Sequence, residues 1–357
     1  MATTAYGLNH PLAVKLWSKK LMREALKEAF AGRFMGDTKD SLIYIKDETS
    51  KTAGDRIRVG LRMQLTGDGI SGDATLEGNE ESLTTYQDDL LVDQLRHAVR
   101  SDGKMSDQRI PFSVREESMD GLRDWFADRI DTAFFNHIAG NTTQTDTRYT
   151  GGNATLAPST TTGNSRIVFG PVSTTEASLS VESGSANFRL TMIDQAIALA
   201  KTAVPLIRQV KTASGPKYVA FLHPFQVYNL RTDATAARVT WYDAQKTLVQ
   251  GGDKNNGIFS GALGEYNGVV LHESTRVPLA PSTTTVRRGI LCGAQSACIG
   301  YGRETPGTER MLWVEKLFDY GNQIGVAAGM IWGIKKSVFN SIDFGTVVLA
   351  SHAETPA

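Results

Sequence analysis

The order of parts along this chain constrains its fold more than any single motif does. A basic amphipathic arm at about residues 10–35 precedes a long glycine-tipped hairpin at about 43–99. A long acidic helix follows at about 113–139, and then a mixed half rich in short strands. An arm and a hairpin of that length cannot bury themselves on one domain, so they imply neighbours that receive them. The 357 residues suffice for two domains, or for one large domain with extensions.

In the arm, Val14, Trp17, Leu21, Met22, Ala25, Leu26, Ala29, Phe30 and Phe34 draw one apolar stripe along a helix. Lys15, Lys19, Arg23 and Lys27 recur every four residues on a separate basic face. Such a helix packs on its own domain or serves as an arm for a partner. Glu24 and Glu28 interrupt the basic face and argue against a membrane-surface helix.

The hairpin's first leg alternates. Ile57, Val59, Leu61, Met63 and Leu65 point one way, and Arg56, Arg58, Arg62 and Gln64 the other. Its tip is the flexible run Thr66-Gly67-Asp68-Gly69-Ile70-Ser71-Gly72-Asp73, and a polar return leg is expected from about Leu83 to Val99. A hairpin with so little apolar surface is marginal alone, so it must lie on something.

Ser113-Val114-Arg115-Glu116 has the capping-box form. After it Met119, Leu122, Phe126, Ile130, Phe134 and Ile138 recur every three or four residues, with Trp125 widening the stripe. Asp120, Asp124, Asp128 and Asp131 fall on another side. Helical to His137, this spine is about 35–40 Å long. Residues 140–187 turn to Thr, Ser, Gly and Asn, and predict an exposed insertion with nothing packed beneath it. Only Arg166–Gly170 looks strand-like there.

A second helix opens at Thr191 and should end or kink at Pro205. Buried strands are expected at Tyr218–Leu222, Val269–His272 and Gly289–Cys292, and a last long pair at about 310–318 and 324–336. Glycines at 321, 325, 329 and 333 mark bends or close backbone approach. Mixed elements sharing one core give an α+β class.

Charge and motifs exclude several functions. Lys and Arg number 38 against 38 Asp and Glu, without the surplus of a phosphate-wrapping protein. Residues 1–40 hold seven basic and four acidic side chains, whereas 41–100 hold seven and eleven, which favours lapping of one subunit over the next. Cys292 and Cys298 lack zinc spacing and read as buried reduced thiols. No signal segment or membrane-length apolar run occurs, which places synthesis in a cytoplasm and leaves the Asn141 and Asn153 sequons without meaning. Gly67–Gly72 matches G-x-G-x-x-G, but no helical stripe follows to receive a pyrophosphate. His223, His272 and Glu273 stand near strand ends and form the one acid–base constellation to weigh; each reads first as a structural residue. No cofactor or metal is expected.

Several stretches together resemble the major capsid proteins of tailed phages, closest to the type of the coliphage called N-four. They are Asn9–Lys19, Gly54-Asp55-Arg56-Ile57, Phe221-Leu222-His223-Pro224, Gly261–Val269 and Asp319-Tyr320-Gly321-Asn322. The resemblance implies the Johnson, or Hong Kong 97-like, fold. It would comprise an N-terminal arm (1–40), an extended loop (41–103) and the spine helix of a peripheral domain (104–140). The 141–187 insertion would lie outside the minimal fold, and 188–357 would complete the peripheral and axial domains. It further implies pentamers and hexamers of an icosahedral head around double-stranded DNA, in a virion assembled in the host bacterial cytoplasm and without a membrane. A separate scaffolding protein and a portal would be partners, with room for a cement protein. Lys15, Lys19, Lys20, Arg23 and Lys27 would face the genome; Arg56, Arg58, Arg62, Gly67, Gly69 and Gly72 would lie between subunits. Lys46 and Lys51 precede the strand, so covalent crosslinking through a loop lysine is not carried over. The alternatives are an encapsulin-like nanocompartment shell, a soluble enzyme using His223, His272 and Glu273, and an adhesin using 140–187.

Overall fold

A computed structural model describes residues 30–46, 54–73, 75–109, 113–161, 164–171, 173–181, 186–212, 215–233, 264–281, 283–302 and 311–355. The arm's Lys15, Lys19, Lys20, Arg23 and Lys27 lie outside the described residues.

The three-four spacing after Ser113 folds as one 26-residue helix, Val114–Ala139, about 39 Å long. Ser113 Oγ accepts from the Glu116 N–H at 3.4 Å, and Gly140 closes the far end at φ 66°. Met119, Leu122, Phe126, Ile130, Phe134 and Ile138 are all buried. They meet Trp313, Val326, Met330 and Trp332 from the inner face of a six-stranded sheet. Its order is Met35–Gly36, Ile43–Lys46, Ala297–Tyr301, Gln323–Lys336 and Met311–Phe318, with Asp93–Arg100 also paired to the long strand Gln323–Lys336. Each fully buried aliphatic or aromatic side chain stabilises by about 1.5–3 kcal/mol, so this contact is the main adhesive of the subunit.

A seven-stranded sheet runs Ile167–Phe169, Thr346–His352, Val286–Cys292, Gly215–Leu222, Val269–Glu273 and Gly264–Tyr266, with Val210–Thr212 beside Gly215–Leu222. Val219, Phe221, Ile290 and Cys292 belong to the spine's core, whereas Tyr218, Ala220, Leu222 and Leu291 pack with helix Leu190–Thr202. Strands covered on both faces need no polar alternation, which is why these read as unbroken apolar runs. Helix Leu190–Thr202 stops three residues before Pro205.

Two expectations need correction. The return leg is two strands. Thr85–Leu91 pairs with Arg56–Arg62, then the chain turns at Val92 and Asp93–Arg100 joins the six-stranded sheet. Residues 140–187 are no loose decoration either. Ile167–Phe169 pairs in parallel with Thr346–His352, and Leu179 and Ala186 are fully buried. Short helix Thr147–Thr150 is tied to the spine, with Asn136 Nδ2 donating to Tyr149 O at 3.1 Å and His137 Nε2 2.8 Å from Thr150 O. Asp131, on the acidic side of the spine, is turned into the fold. It is 3% exposed and accepts from the Phe30 and Ala31 N–H groups at 3.0 and 2.9 Å, where the arm enters the fold. Burial pushes its carboxyl up, against the pull of those two donors.

Candidate intersubunit hairpin

The hairpin is anchored at one end only. Near its base Ile57, Leu90 and Val92 pack with Cys298, a cluster that Tyr44, Val59 and Ile331 border. The Asp88 carboxylate takes the Lys335 ammonium and the Val338 N–H, and Lys335 Nζ also donates to Asp89 O at 3.1 Å. Further out Arg56, Arg58 and Arg62 are exposed on one face, as the alternation requires. Arg58 clasps Asp89 across the pair at 2.8 and 3.0 Å and holds that carboxyl below the usual carboxylate range. The pair is open to water, so it aligns the strands more than it stabilises them.

Strand pairing ends at Arg62 and Thr85, and the described residues 63–73 and 75–84 belong to the tip. Glu81 closes it, its carboxylate accepting from the Thr66 and Gly67 N–H groups at 2.9 and 2.8 Å. Those bonds pull the Glu81 carboxyl down. Gly69 and Gly72 take φ of 69° and 67° in open space, a conformation costly for other residues. No helix follows the G-x-G-x-x-G match among the described residues of the tip. Leu65, Leu76 and Leu83 are 57%, 62% and 56% exposed. The tip carries Asp68, Asp73, Glu77, Glu80 and Glu81 without a Lys or Arg. The tip thus exposes three leucines among side chains of one charge sign.

The other candidates have structural duties. His223 Nδ1 accepts from the Phe225 N–H at 3.2 Å and the His223 backbone N–H donates to Gln226 Oε1, capping helix Pro224–Thr232. Burial and the Arg287 charge bring that imidazole down to about 4. The His272 ring lies among Phe30, Phe34 and Phe221, while Glu273 is exposed. Thus an acid–base trio is not assembled from them. Cys292 and Cys298 are buried thiols outside any disulfide, and burial pushes the Cys292 thiol up to about 12. Among the described residues no cluster of His, Cys, Asp or Glu could hold a metal, and no helix is long and apolar enough to cross a membrane. Sequence reasoning missed Asp88, Lys335 and Asn153 at the hairpin's base, because polar side chains in polar segments leave no periodic signal.

A profile of the phage capsid protein family matches residues 3–355. The major capsid protein of Pseudomonas phage KPP25 is 30% identical over 365 residues, covering 93% of each chain. The capsid of Ralstonia phage GP4 superposes with a TM-score of 0.77 at 31% identity over the whole of both chains. The cyanophage Pam1 capsid, at 19% identity and a TM-score of 0.72 over 93% and 94% of the chains, shares the fold. That fold is the Hong Kong 97-like α+β kind, and the nanocompartment, enzyme and adhesin readings gain no support from these matches. Matched along nearly its whole length, the chain belongs to the phage capsid protein family and is the major subunit of a virion shell built from many copies.

Proposed function

We propose that the hairpin makes the lateral joint of that shell, its acidic leucine-bearing tip lying on the next subunit's six-stranded sheet. The observation that carries this is complementarity. On the sheet face turned away from the spine, Arg96, Gly329 and Leu312 form one row across three strands. Ala98, Ala327 and Val314 form the next, and Arg100, Gly325 and Lys316 the third. Leu312 and Val314 are each 43% exposed, so the face offers apolar area rimmed by cations. An acidic tip with exposed leucines fits it in both respects, and matched charge fixes register and suppresses wrong partners.

Repeated around a ring, the joint yields pentamers and hexamers that close as an icosahedral head over double-stranded DNA. Lys15, Lys19, Lys20, Arg23 and Lys27 would touch phosphates on the inner face without reading bases. A scaffolding protein, a portal and assembly in the host bacterial cytoplasm complete the reading.

Charge reversal tests the joint. Arg96→Glu with Lys316→Glu should leave a folded subunit but cut the yield of closed shells at least ~10-fold in electron micrographs, since like charges in contact cost several kcal/mol. Adding Asp68→Lys, Asp73→Lys and Glu77→Lys should restore shells. Normal shells from the first variant would sink the joint.

A further inference from the structure

We infer that Asn153 is the positioning residue of the hairpin, fixing the angle at which it leaves the subunit. The inference rests on the reading that the hairpin spans subunits. Leu91 stands opposite Arg56 in the hairpin ladder, yet its N–H and C=O turn away from that partner strand. Both meet the Asn153 side chain: Leu91 N–H donates to Oδ1 at 2.9 Å and Nδ2 donates to Leu91 O at 2.8 Å. The amide thus substitutes for one peptide unit of a missing strand. Only Val92 separates Leu91 from the strand that enters the six-stranded sheet, so this contact sits at the pivot.

The segment carrying Asn153 is shaped to reach that place. Gly151 has φ 59°, and a β-carbon there would lie 2.9 Å from Ile334 Cγ2; Gly152 has φ 80°, and its β-carbon would lie 3.0 Å from Asp93 Cβ. Nδ2 also donates to Gly151 O at 3.1 Å, which locks the amide, and Asn153 is only 8% exposed. Upstream, Tyr149 and Thr150 hang from Asn136 and His137 at the end of the spine helix. A continuous polar linkage therefore runs from spine to short helix to Gly-Gly-Asn to pivot. Preorganising the lever removes the ordering cost that each joint would otherwise carry, and a narrow range of lever angles limits the curvatures the shell can take.

The test uses the full chain. Nitroxide labels at Ser71→Cys on the tip and Lys201→Cys on helix Leu190–Thr202 report the lever angle in the unassembled subunit by pulsed electron resonance. The wild-type background should give one narrow distance distribution. Asn153→Ala should broaden it at least twofold and yield shells of mixed diameter, while the thermal midpoint moves by only a few degrees. Asn153→Asp keeps the acceptor for the Leu91 N–H but turns a carboxylate oxygen on the Leu91 and Gly151 carbonyls, so it should broaden the distribution at least as much. An unchanged distribution in either variant overturns the inference, as does a broadened one with shells of uniform normal diameter. Failure of the intersubunit reading is separate: it shows in the charge-reversal variants, whereas the distance distribution is read on a lone subunit.

Discussion

Replacing Asp343 with Ala is expected to cost the subunit about 3–5 kcal/mol, the usual penalty for stranding a buried charge. Lys336 and Asp343 side chains are 1% and 2% exposed and stand 2.8 Å apart. The ammonium also donates to Leu156 O and Ala157 O at 3.1 and 3.3 Å, and the carboxylate accepts from the Ser159 N–H at 3.3 Å. Burial pulls the Lys336 ammonium's pKa down, and Asp343 holds it back up. Without the carboxylate the lysine keeps two carbonyls and no counter-charge. Denaturant unfolding of the unassembled subunit measures the loss. The double variant Lys336→Met/Asp343→Leu should lose far less than Asp343→Ala, because both polar partners leave together. A double variant as weak as the single one would mean that the pair is not the unit of stability.

That pair also shows why part of the fold stays hidden in the sequence. The spine is legible because its stripe is apolar and its ends carry Ser113 and Gly140. Strands around Phe221 and Ile290 are legible because both faces are covered. Residues 140–187 are not, since they attach through polar groups that composition counts as surface. Arg166 is 1% exposed, with Nε donating to the Asp343 carbonyl at 3.0 Å and Nη2 to Pro205 O at 3.2 Å. Burial of a polar residue depends on partners distant in sequence, and no local pattern records them.

The hairpin divides in the same way. Outward arginines at 56, 58 and 62 follow from alternation alone. The break at Val92 does not, because the strands on either side are equally polar and only pairing separates them. Its closest approach is marked, though: a β-carbon at Gly333 would lie 1.9 Å from Leu91 O, so the four-residue glycine series ends where the long strand passes under the pivot. Gly321, at φ 84°, instead serves the turn before that strand. One series therefore holds both of the roles that its spacing left open.

Between about pH 6.5 and 4 the unassembled subunit is expected to lose stability steadily as acid is added. His137 is fully buried; its Nε2–H donates to Thr150 O, and its Nδ1 has no partner. Burial, aided by the Lys336 and Lys335 charges, brings the imidazole down to about 4, and His223 reaches about 4 through burial and Arg287. In the unfolded chain a histidine takes its proton near pH 6.5. The unfolded state therefore binds more protons throughout this window, and stability falls with pH until the folded groups also titrate. The ceiling is ~1.4 kcal/mol per pH unit for each histidine, or roughly 3 kcal/mol for His137 across the window. Asp131 opposes the trend, because its raised pKa makes protonation favour the fold. In His137→Leu the slope should drop by about 1 kcal/mol per pH unit, even though Thr150 O loses its donor and overall stability is lower. An unchanged slope would mean that His137 titrates alike in both states.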